Sequence, residues 1–254
     1  MRGFEALTWC HDQGRRFGSY HAQAAARPWP RATALWAPER GLLVAGAGAG
    51  GGAQQALFRE ELQAYLQAGL ARWPEGSDLG AYFYAVQAAF DAATEPAFAE
   101  QLQGTAVAAL LTREAVSVGN LGCERAYLLQ AGVLRRLTED DSAARGAPPG
   151  PLAGVLRSAP MSWFRQGEAA RARPTVRRVP WAEGDLLLLA TGLAPALDEA
   201  ADAALERALV DPHAPLPELI ANLVAALLDA APDEDARDAL LGRTALALAR
   251  AAGP

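Results

Sequence analysis

The hydrophobic pattern of the chain changes its period in blocks, and the order of these blocks constrains the fold more than any other feature. The first block predicts short strands at 4–10, 32–37 and 41–45, the last two joined around Pro38–Arg40 as a hairpin. Two helices follow at about 53–71 and 78–103, where apolar residues recur at helical spacing. Strands and helices in separate blocks, and not alternating units, indicate an α+β fold.

The second half of the chain repeats this arrangement. Four short runs separated by tight turns predict an antiparallel meander, with strands at 105–112, 115–120, 125–130 and 133–137. The later elements are strands at 175–179 and 185–190, helices at 197–210 and 217–230, and a last strand at 244–250. Two packed antiparallel sheets, with a helix pair on each outer face, would bury every apolar stripe. The prediction is therefore a four-layer α-β-β-α sandwich.

Length and composition favour one domain over the whole chain. A chain of 254 residues can bury one large core, and no break in composition divides it. The stretch at about 139–173 begins with many Ala, Gly, Pro and Ser residues and is predicted to be a flap-like insertion. We therefore interpret residues 1–254 as a single domain with one irregular insertion.

Charge and cysteine content exclude several classes of function. The net charge of −6 argues against binding to nucleic acid or to an acidic membrane surface, since both require a basic face. The longest apolar stretch, 186–197, is too short to cross a bilayer, and no signal peptide is evident at the N-terminus. Two cysteines, Cys10 and Cys123, suit a reducing compartment. We expect a protein that is not membrane-bound and is located in the cytoplasm.

A glycine run between a predicted strand and a predicted helix suggests a nucleotide site. Gly46, Gly48 and Gly51 have the spacing of a dinucleotide-binding turn, in which backbone and a helix N-terminus bind a pyrophosphate. That mechanism also requires a second parallel strand after the helix, and a second long helix follows instead. We therefore prefer to interpret Gly46–Gly52 as a turn that lets a strand and a helix pack closely.

Several short motifs resemble those of the protein phosphatase 2C family and follow one another in the order expected for that family. The central ones are Gly104–Leu111, Gly119–Leu129 and Leu137–Ser142, which resemble G-T-T, N-x-G-D-S-R-x-Y and L-T-x-D-H-S. Further matches are Asp12–Gly14, Leu43–Ala45, Gly184–Leu193 and Thr244–Leu246. The resemblance implies an α-β-β-α sandwich. It also implies a site where aspartates hold two or three Mn²⁺ or Mg²⁺ ions, which activate water to attack phosphoserine or phosphothreonine.

The positions of the family's metal-binding aspartates carry other residues in this sequence. Matched motif by motif, these positions are Ala22, Ala47, Cys123, Thr191 and Leu241, and the phosphate-binding arginine is replaced by Phe17. Hard divalent cations need carboxylate oxygens, and a pair of them needs several. The resemblance therefore predicts a pseudophosphatase, a catalytically inactive protein with no expected metal cofactor.

The expected role is then regulatory binding of another protein in bacterial signalling, with a kinase, a phosphoprotein or a true phosphatase as the partner. Arg15, Arg16 and Arg165 are candidate contacts for a phosphate or a partner, since guanidinium groups pair well with phosphate. Two alternatives stay open: an active serine/threonine phosphatase with atypical ligands, and a nucleotide or phosphate sensor that uses Gly46–Gly52. Minor alternatives are zinc bound by His21 and Cys123, or Cys123 as a nucleophile.

Overall fold

Two antiparallel sheets form the centre of the protein. A computed structural model describes residues 4–10, 32–49, 59–92, 103–143, 156, 159–193, 197 and 199–251. Within these residues the strands are β1 (Phe4–Cys10), β2 (Ala32–Ala37), β3 (Leu42–Ala49), β4 (Gln103–Leu111), β5 (Ala115–Leu121), β6 (Arg125–Gln130), β7 (Val133–Arg136), β8 (Thr175–Pro180), β9 (Leu186–Ala190) and β10 (Ala245–Ala251). The first sheet has the order β1-β10-β9-β6-β7 and the second the order β2-β3-β4-β5-β8. All neighbouring strands are antiparallel.

The inner faces of the two sheets pack against each other. Because side chains alternate between the faces of a strand, every second residue of the central strands enters this layer. Its buried members include Leu43, Val107, Val118, Leu128 and Leu189. The layer contains many alanines, and their short side chains allow the two sheets to approach closely.

Helices cover both outer faces. The described helices are α1 (Arg59–Arg72), α2 (Leu79–Asp91), α3 (Glu199–Ala208), α4 (Leu216–Ala230) and α5 (Glu234–Arg243). Leu62 of α1 and Tyr82 of α2 belong to a buried cluster with Val44 of β3, whereas Leu205 of α3 and Leu223 of α4 pack with strands of the first sheet. This arrangement confirms the predicted α+β fold of four layers. None of the described helices combines the length and the apolar character needed to cross a bilayer.

The predicted four-strand meander is wrong, because its strands belong to two different sheets. Strands β4 and β5 pair in the second sheet, while β6 and β7 pair in the first. The chain crosses between the sheets at Gly122–Glu124, where Gly122 has a φ of 86°. Strand periodicity predicts each strand correctly but carries no information about which sheet a hairpin joins.

Two boundaries and one further helix differ from the sequence-based prediction. Gly46 and Gly48 lie inside β3 and pair with β2 or β4, so the predicted turn at Gly46–Gly52 is wrong over its first half. The second helix begins as expected, with Asp78 as its N-cap, but the described helix ends at Asp91, and Gln103 belongs to β4. Helix α5 was not predicted.

The described part of the predicted insertion is anchored to the second sheet and its helices. Phe164 is fully buried and stacks against Phe83 and Phe90 of α2, with ring centroids 6.0 and 5.6 Å away. Its backbone exchanges two hydrogen bonds with Gly104, at 2.7 and 3.0 Å. Trp163 donates to Glu168 and lies under the guanidinium of Arg171. Phe164 therefore anchors this segment.

Candidate functional site

The crossover from β5 to β6 lies between the two sheets, where the sequence motifs place the family's metal site. Asn120 holds this loop by donating to the carbonyl groups of Gly122 and Glu139, at 3.2 and 2.9 Å. A Cβ atom at Gly122 would lie 2.6 Å from Cγ2 of Thr105, so both the left-handed φ and the close approach require glycine. The loop therefore holds Cys123 and Glu124 between the sheets in a fixed conformation.

Glu124 links three segments through hydrogen bonds. The hydroxyl of Thr105 on β4 lies 2.6 Å from Oε1, and the backbone N–H of Gly192, after β9, donates to Oε2 at 3.1 Å. The same hydroxyl lies 3.2 Å from the carbonyl oxygen of Ala47 on β3. The carboxyl group thus joins the two sheets next to positions where the family's motifs would place carboxylates around metal ions.

Burial raises the pKa of Glu124 to about 7, while the hydrogen bonds from Thr105 and Gly192 act in the opposite direction. Hydrogen-bond counting explains why the protonated form suits this site. A threonine hydroxyl carries one proton, which it can donate either to Glu124 or to Ala47. When Glu124 is protonated it can donate to Thr105, which then donates to Ala47, and the chain is complete. Nearby charges have smaller effects: Asp140 raises the pKa and Arg125 lowers it.

The replacement Glu124→Gln is expected to change how stability depends on pH. The folded state keeps the proton of Glu124 to higher pH than the unfolded state does, so this residue's contribution is largest below pH 4.5 and is lost as the pH rises towards 7. The shift corresponds to about 3 kcal/mol over that window. Because glutamine does not titrate, the free energy of unfolding of the wild type, relative to that of the variant, should fall by this amount as the pH rises through that window.

Denaturant unfolding of both proteins between about pH 4 and pH 8 measures this difference, since groups shared by the two proteins cancel in it. Glu114→Gln is the matched control, because Glu114 is exposed on the turn between β4 and β5. Parallel pH profiles for the wild type and Glu124→Gln would contradict the assigned environment of Glu124.

Thr191 uses its side chain to hold the backbone together. Its hydroxyl donates to the carbonyl of Arg243 at 2.7 Å and accepts from the N–H of Ala245 at 2.9 Å. The residue is fully buried. Next to it, a Cβ atom at Gly192 would lie 2.7 Å from the same carbonyl of Arg243, so the two segments are in direct contact. Thr191 joins the end of β9 to the start of β10.

Cys123 is a buried thiol near several carboxylates. Its Sγ lies 3.7 Å from the carbonyl oxygen of Asp141, and the residue is 8% exposed. Burial raises the pKa of this thiol well above its usual value, and Glu124, Asp140 and Asp141 raise it further. A nucleophilic cysteine needs the opposite shift. The geometry therefore does not favour the cysteine-nucleophile hypothesis.

The structure brings together some of the predicted site positions and separates others. Ala47 belongs to the hydrogen-bond chain through Glu124, because its carbonyl oxygen is a partner of Thr105. Cys123 precedes Glu124 in the sequence, and Thr191 precedes Gly192, the other partner of Glu124. Leu241 instead lines a small apolar crevice between α4 and α5, together with Val224, Leu227, Leu228, Leu240 and Thr244. Ala22, Phe17, Arg15, Arg16 and His21 lie outside the described residues.

Arg165 has one partner within its own segment and another on α2. Its guanidinium lies 3.1 Å from Oε1 of Glu168. Its backbone is fixed by the buried side chain of Gln87, which donates to the carbonyl of Arg165 at 2.7 Å and accepts from its N–H at 3.2 Å. As a phosphate contact, Arg165 would have to compete with this ion pair.

The donors at the described positions do not fit a pair of hard divalent cations. Within the described residues, no three Asp, Glu, His or Cys side chains are grouped so that they could hold a metal ion. The carboxyl group of Glu124 already uses both its oxygens in hydrogen bonds with Thr105 and Gly192. The remaining groups are a methyl group at Ala47, a thiol at Cys123 and a hydroxyl at Thr191 that already forms two hydrogen bonds with the backbone. Mn²⁺ and Mg²⁺ prefer several oxygen ligands with negative charge.

Comparison with known proteins identifies the architecture. No protein-family model and no curated protein match the chain. Solved structures do match: the serine/threonine phosphatase PstP/Ppp of Mycobacterium tuberculosis is 20% identical with a TM-score of 0.68, covering 99% of this chain and 100% of its own. A second structure of the PstP catalytic domain, at 21% identity and a TM-score of 0.65, contains two manganese ions and covers 99% of each chain.

Solved structures from two further bacteria have the same architecture. Stp1 of Staphylococcus aureus is 17% identical with a TM-score of 0.67, covering 98% of this chain and 95% of its own. PppA of Pseudomonas aeruginosa, described as a key regulatory component of T6SS, is 21% identical with a TM-score of 0.63, covering 98% and 97%. The resemblance found in the sequence motifs is confirmed at the level of the fold. The chain has the fold of the protein phosphatase 2C-type serine/threonine phosphatases.

Proposed function

We propose that this chain is a pseudophosphatase, a catalytically inactive protein with the phosphatase 2C fold that regulates bacterial signalling in the cytoplasm by binding another protein. The observation that carries the proposal is the hydrogen-bond chain through Glu124. It occupies the region between the sheets with protein groups that satisfy one another, at or next to positions where the motifs of active relatives have metal-binding aspartates.

Electrostatics supports the loss of the metal-dependent reaction. Two dications in a partly desolvated cleft need compensating negative charge, and an uncompensated charge costs many kcal/mol. Ala47, Cys123 and Thr191 supply no carboxylate, and the side chain of Leu241 lies in an apolar crevice. Without the ions, the family's route to an activated water molecule is lost.

The regulatory half of the proposal draws on the comparison with PppA. That protein is described as a key regulatory component of T6SS in Pseudomonas aeruginosa, and it has the same fold. A domain that keeps this fold without the metal site can still present a surface for protein recognition. The partner would then be a kinase, a phosphoprotein or an active phosphatase.

The purified protein is expected to show no metal-dependent hydrolysis of an aryl phosphate in the presence of Mn²⁺. An active bacterial phosphatase of the same fold, assayed under the same conditions, is the positive control. Metal-dependent turnover that Cys123→Ala or Glu124→Ala removes, in variants that remain folded by circular dichroism, would contradict the proposal. It would instead favour an active phosphatase with atypical ligands.

A further inference from the structure

Strand β8 lies at the edge of the second sheet and leaves part of its backbone without a partner in the described structure. The N–H of Trp181 donates to the carbonyl of Glu114, and the register continues through Val179↔Val116 and Arg177↔Val118. In an antiparallel pair, successive residues point their N–H and C=O groups to opposite sides. The backbone groups of Val176 and Arg178 and the carbonyl of Pro180 therefore point away from β5.

The side chains along this edge are basic and exposed. Arg173, Arg177 and Arg178 are exposed, and no acidic side chain in the described part of the chain forms an ion pair with any of the three. Val176 between them is 44% exposed. This concentration of positive charge stands out because the chain as a whole carries a net charge of −6.

The arginines lie on both faces of the edge. Val176 lies against Gly119 and so faces α2, and Arg178 shares that face because residues two apart point the same way. Arg177 shares the opposite face with the buried Val179. A strand added beside β8 would place its alternate side chains near Arg178 on one face and near Arg177 on the other.

We propose that the β8 edge, formed by Arg173, Val176, Arg177 and Arg178, binds an extended acidic segment of a partner protein as an additional strand. The inference rests on the protein-binding half of the proposed function and does not depend on the loss of catalysis. Backbone hydrogen bonds supply affinity in this mode of recognition, and the flanking side chains supply specificity. Carboxylates of the guest strand pair with the arginines.

Charge selects this occupant over a second copy of the same chain. Natural proteins discourage edge-to-edge association with short strands, bulges and charged side chains. Strand β8 has six residues in continuous register without a bulge, so its arginines are the main barrier to pairing. Two β8 edges side by side would bring like charges together, which is destabilising, whereas an acidic strand removes the repulsion.

Binding is tested by fluorescence anisotropy with the whole protein and a fluorescein-labelled eight-residue peptide in which pairs of Glu alternate with pairs of Thr, so that an added strand carries carboxylates on both faces. We expect saturable binding that weakens with added salt, because the ion pairs are exposed. The double variant Arg177→Glu/Arg178→Glu should weaken binding at least about tenfold. Arg135→Glu/Arg207→Glu, which makes the same change in net charge at exposed positions on β7 and α3, should leave it nearly unchanged.

Two controls test the added-strand geometry. The same peptide with N-methyl groups at alternate residues lacks the N–H donors along one edge of the strand, and the version methylated on the edge that faces β8 should bind at least about tenfold more weakly. Amide hydrogen exchange should show new protection at Val176 and Arg178 when the unmodified peptide is bound. No binding up to about 1 mM peptide, equal binding of the same peptide with Lys in place of Glu, or equal losses in both double variants would overturn the proposal. The phosphatase assay does not enter these outcomes, so each proposal can fail separately.

Discussion

Replacing Arg125 by methionine is expected to lower the free energy of unfolding by about 3 kcal/mol. The side chain is 1% exposed and forms two hydrogen bonds with Asp140, at 3.0 and 2.6 Å. Its Nη1 atom also lies 3.7 Å from Asp202 of α3, which accepts a hydrogen bond from Tyr127. Methionine fills similar volume but removes the buried cation from both carboxylates and leaves Asp140 only its longer contact with Arg136. Because Asp140 is 21% exposed, solvent offsets part of the loss.

Arg136→Met is the matched control for this experiment. Arg136 contacts the same carboxylate of Asp140, at 3.8 Å, but is 36% exposed. Exposed ion pairs contribute little, so this variant should lose less than about 1 kcal/mol. Arg125→Lys should fall between the two, since an ammonium keeps the charge but cannot reproduce the forked hydrogen bonds. Urea unfolding measures all three, and equal losses for Arg125→Met and Arg136→Met would contradict the assigned role.

Phe164→Ala is expected to destabilise the protein by about 3–5 kcal/mol. The ring is fully buried against Phe83, Phe90 and other apolar residues of the second sheet's outer cluster, so its removal leaves a cavity. Loss of the ring should also weaken the attachment of the segment around it, because the two backbone hydrogen bonds between Phe164 and Gly104 depend on the ring staying in place.

Met161→Ala tests whether this effect belongs to the anchor or to the segment in general. Met161 lies three residues earlier and is 44% exposed, so its truncation should cost less than about 1 kcal/mol. Limited proteolysis adds a second measurement: Phe164→Ala should speed cleavage within 159–173, and Met161→Ala should not. A loss below about 1 kcal/mol for Phe164→Ala would show that the segment is held by other contacts.

The strands and most helices of this fold could be predicted from the sequence because their signals are local. Arg125–Gln130 is a strand in both the prediction and the structure, and Asp78 marks the start of α2 as its N-cap. Helix α5 has a weak apolar stripe and was missed. Its N-cap, Asp233, together with Glu234 and Asp235 in the first turn, is a signal that could have found it.

The sheet assignment of the strands and the links at the candidate site could not be predicted, because they depend on distant residues. Thr105 and Gly192, the partners of Glu124, are 19 and 68 positions away along the chain. The sequence motifs identified Glu124 only as the replacement of a serine. For Leu241 the motif match was misleading, because it placed this residue at the metal site. The apolar side chain instead packs between α4 and α5, where burial of its surface is favourable.

The central claim is that the cleft between the sheets has lost its affinity for Mn²⁺. Calorimetric titration of the purified chain with MnCl₂, beside an active bacterial phosphatase of the same fold, measures that affinity directly. We expect no binding tighter than about 1 mM for this chain. Two Mn²⁺ ions bound per chain with micromolar dissociation constants, and a loss of that binding in Glu124→Ala, would contradict it.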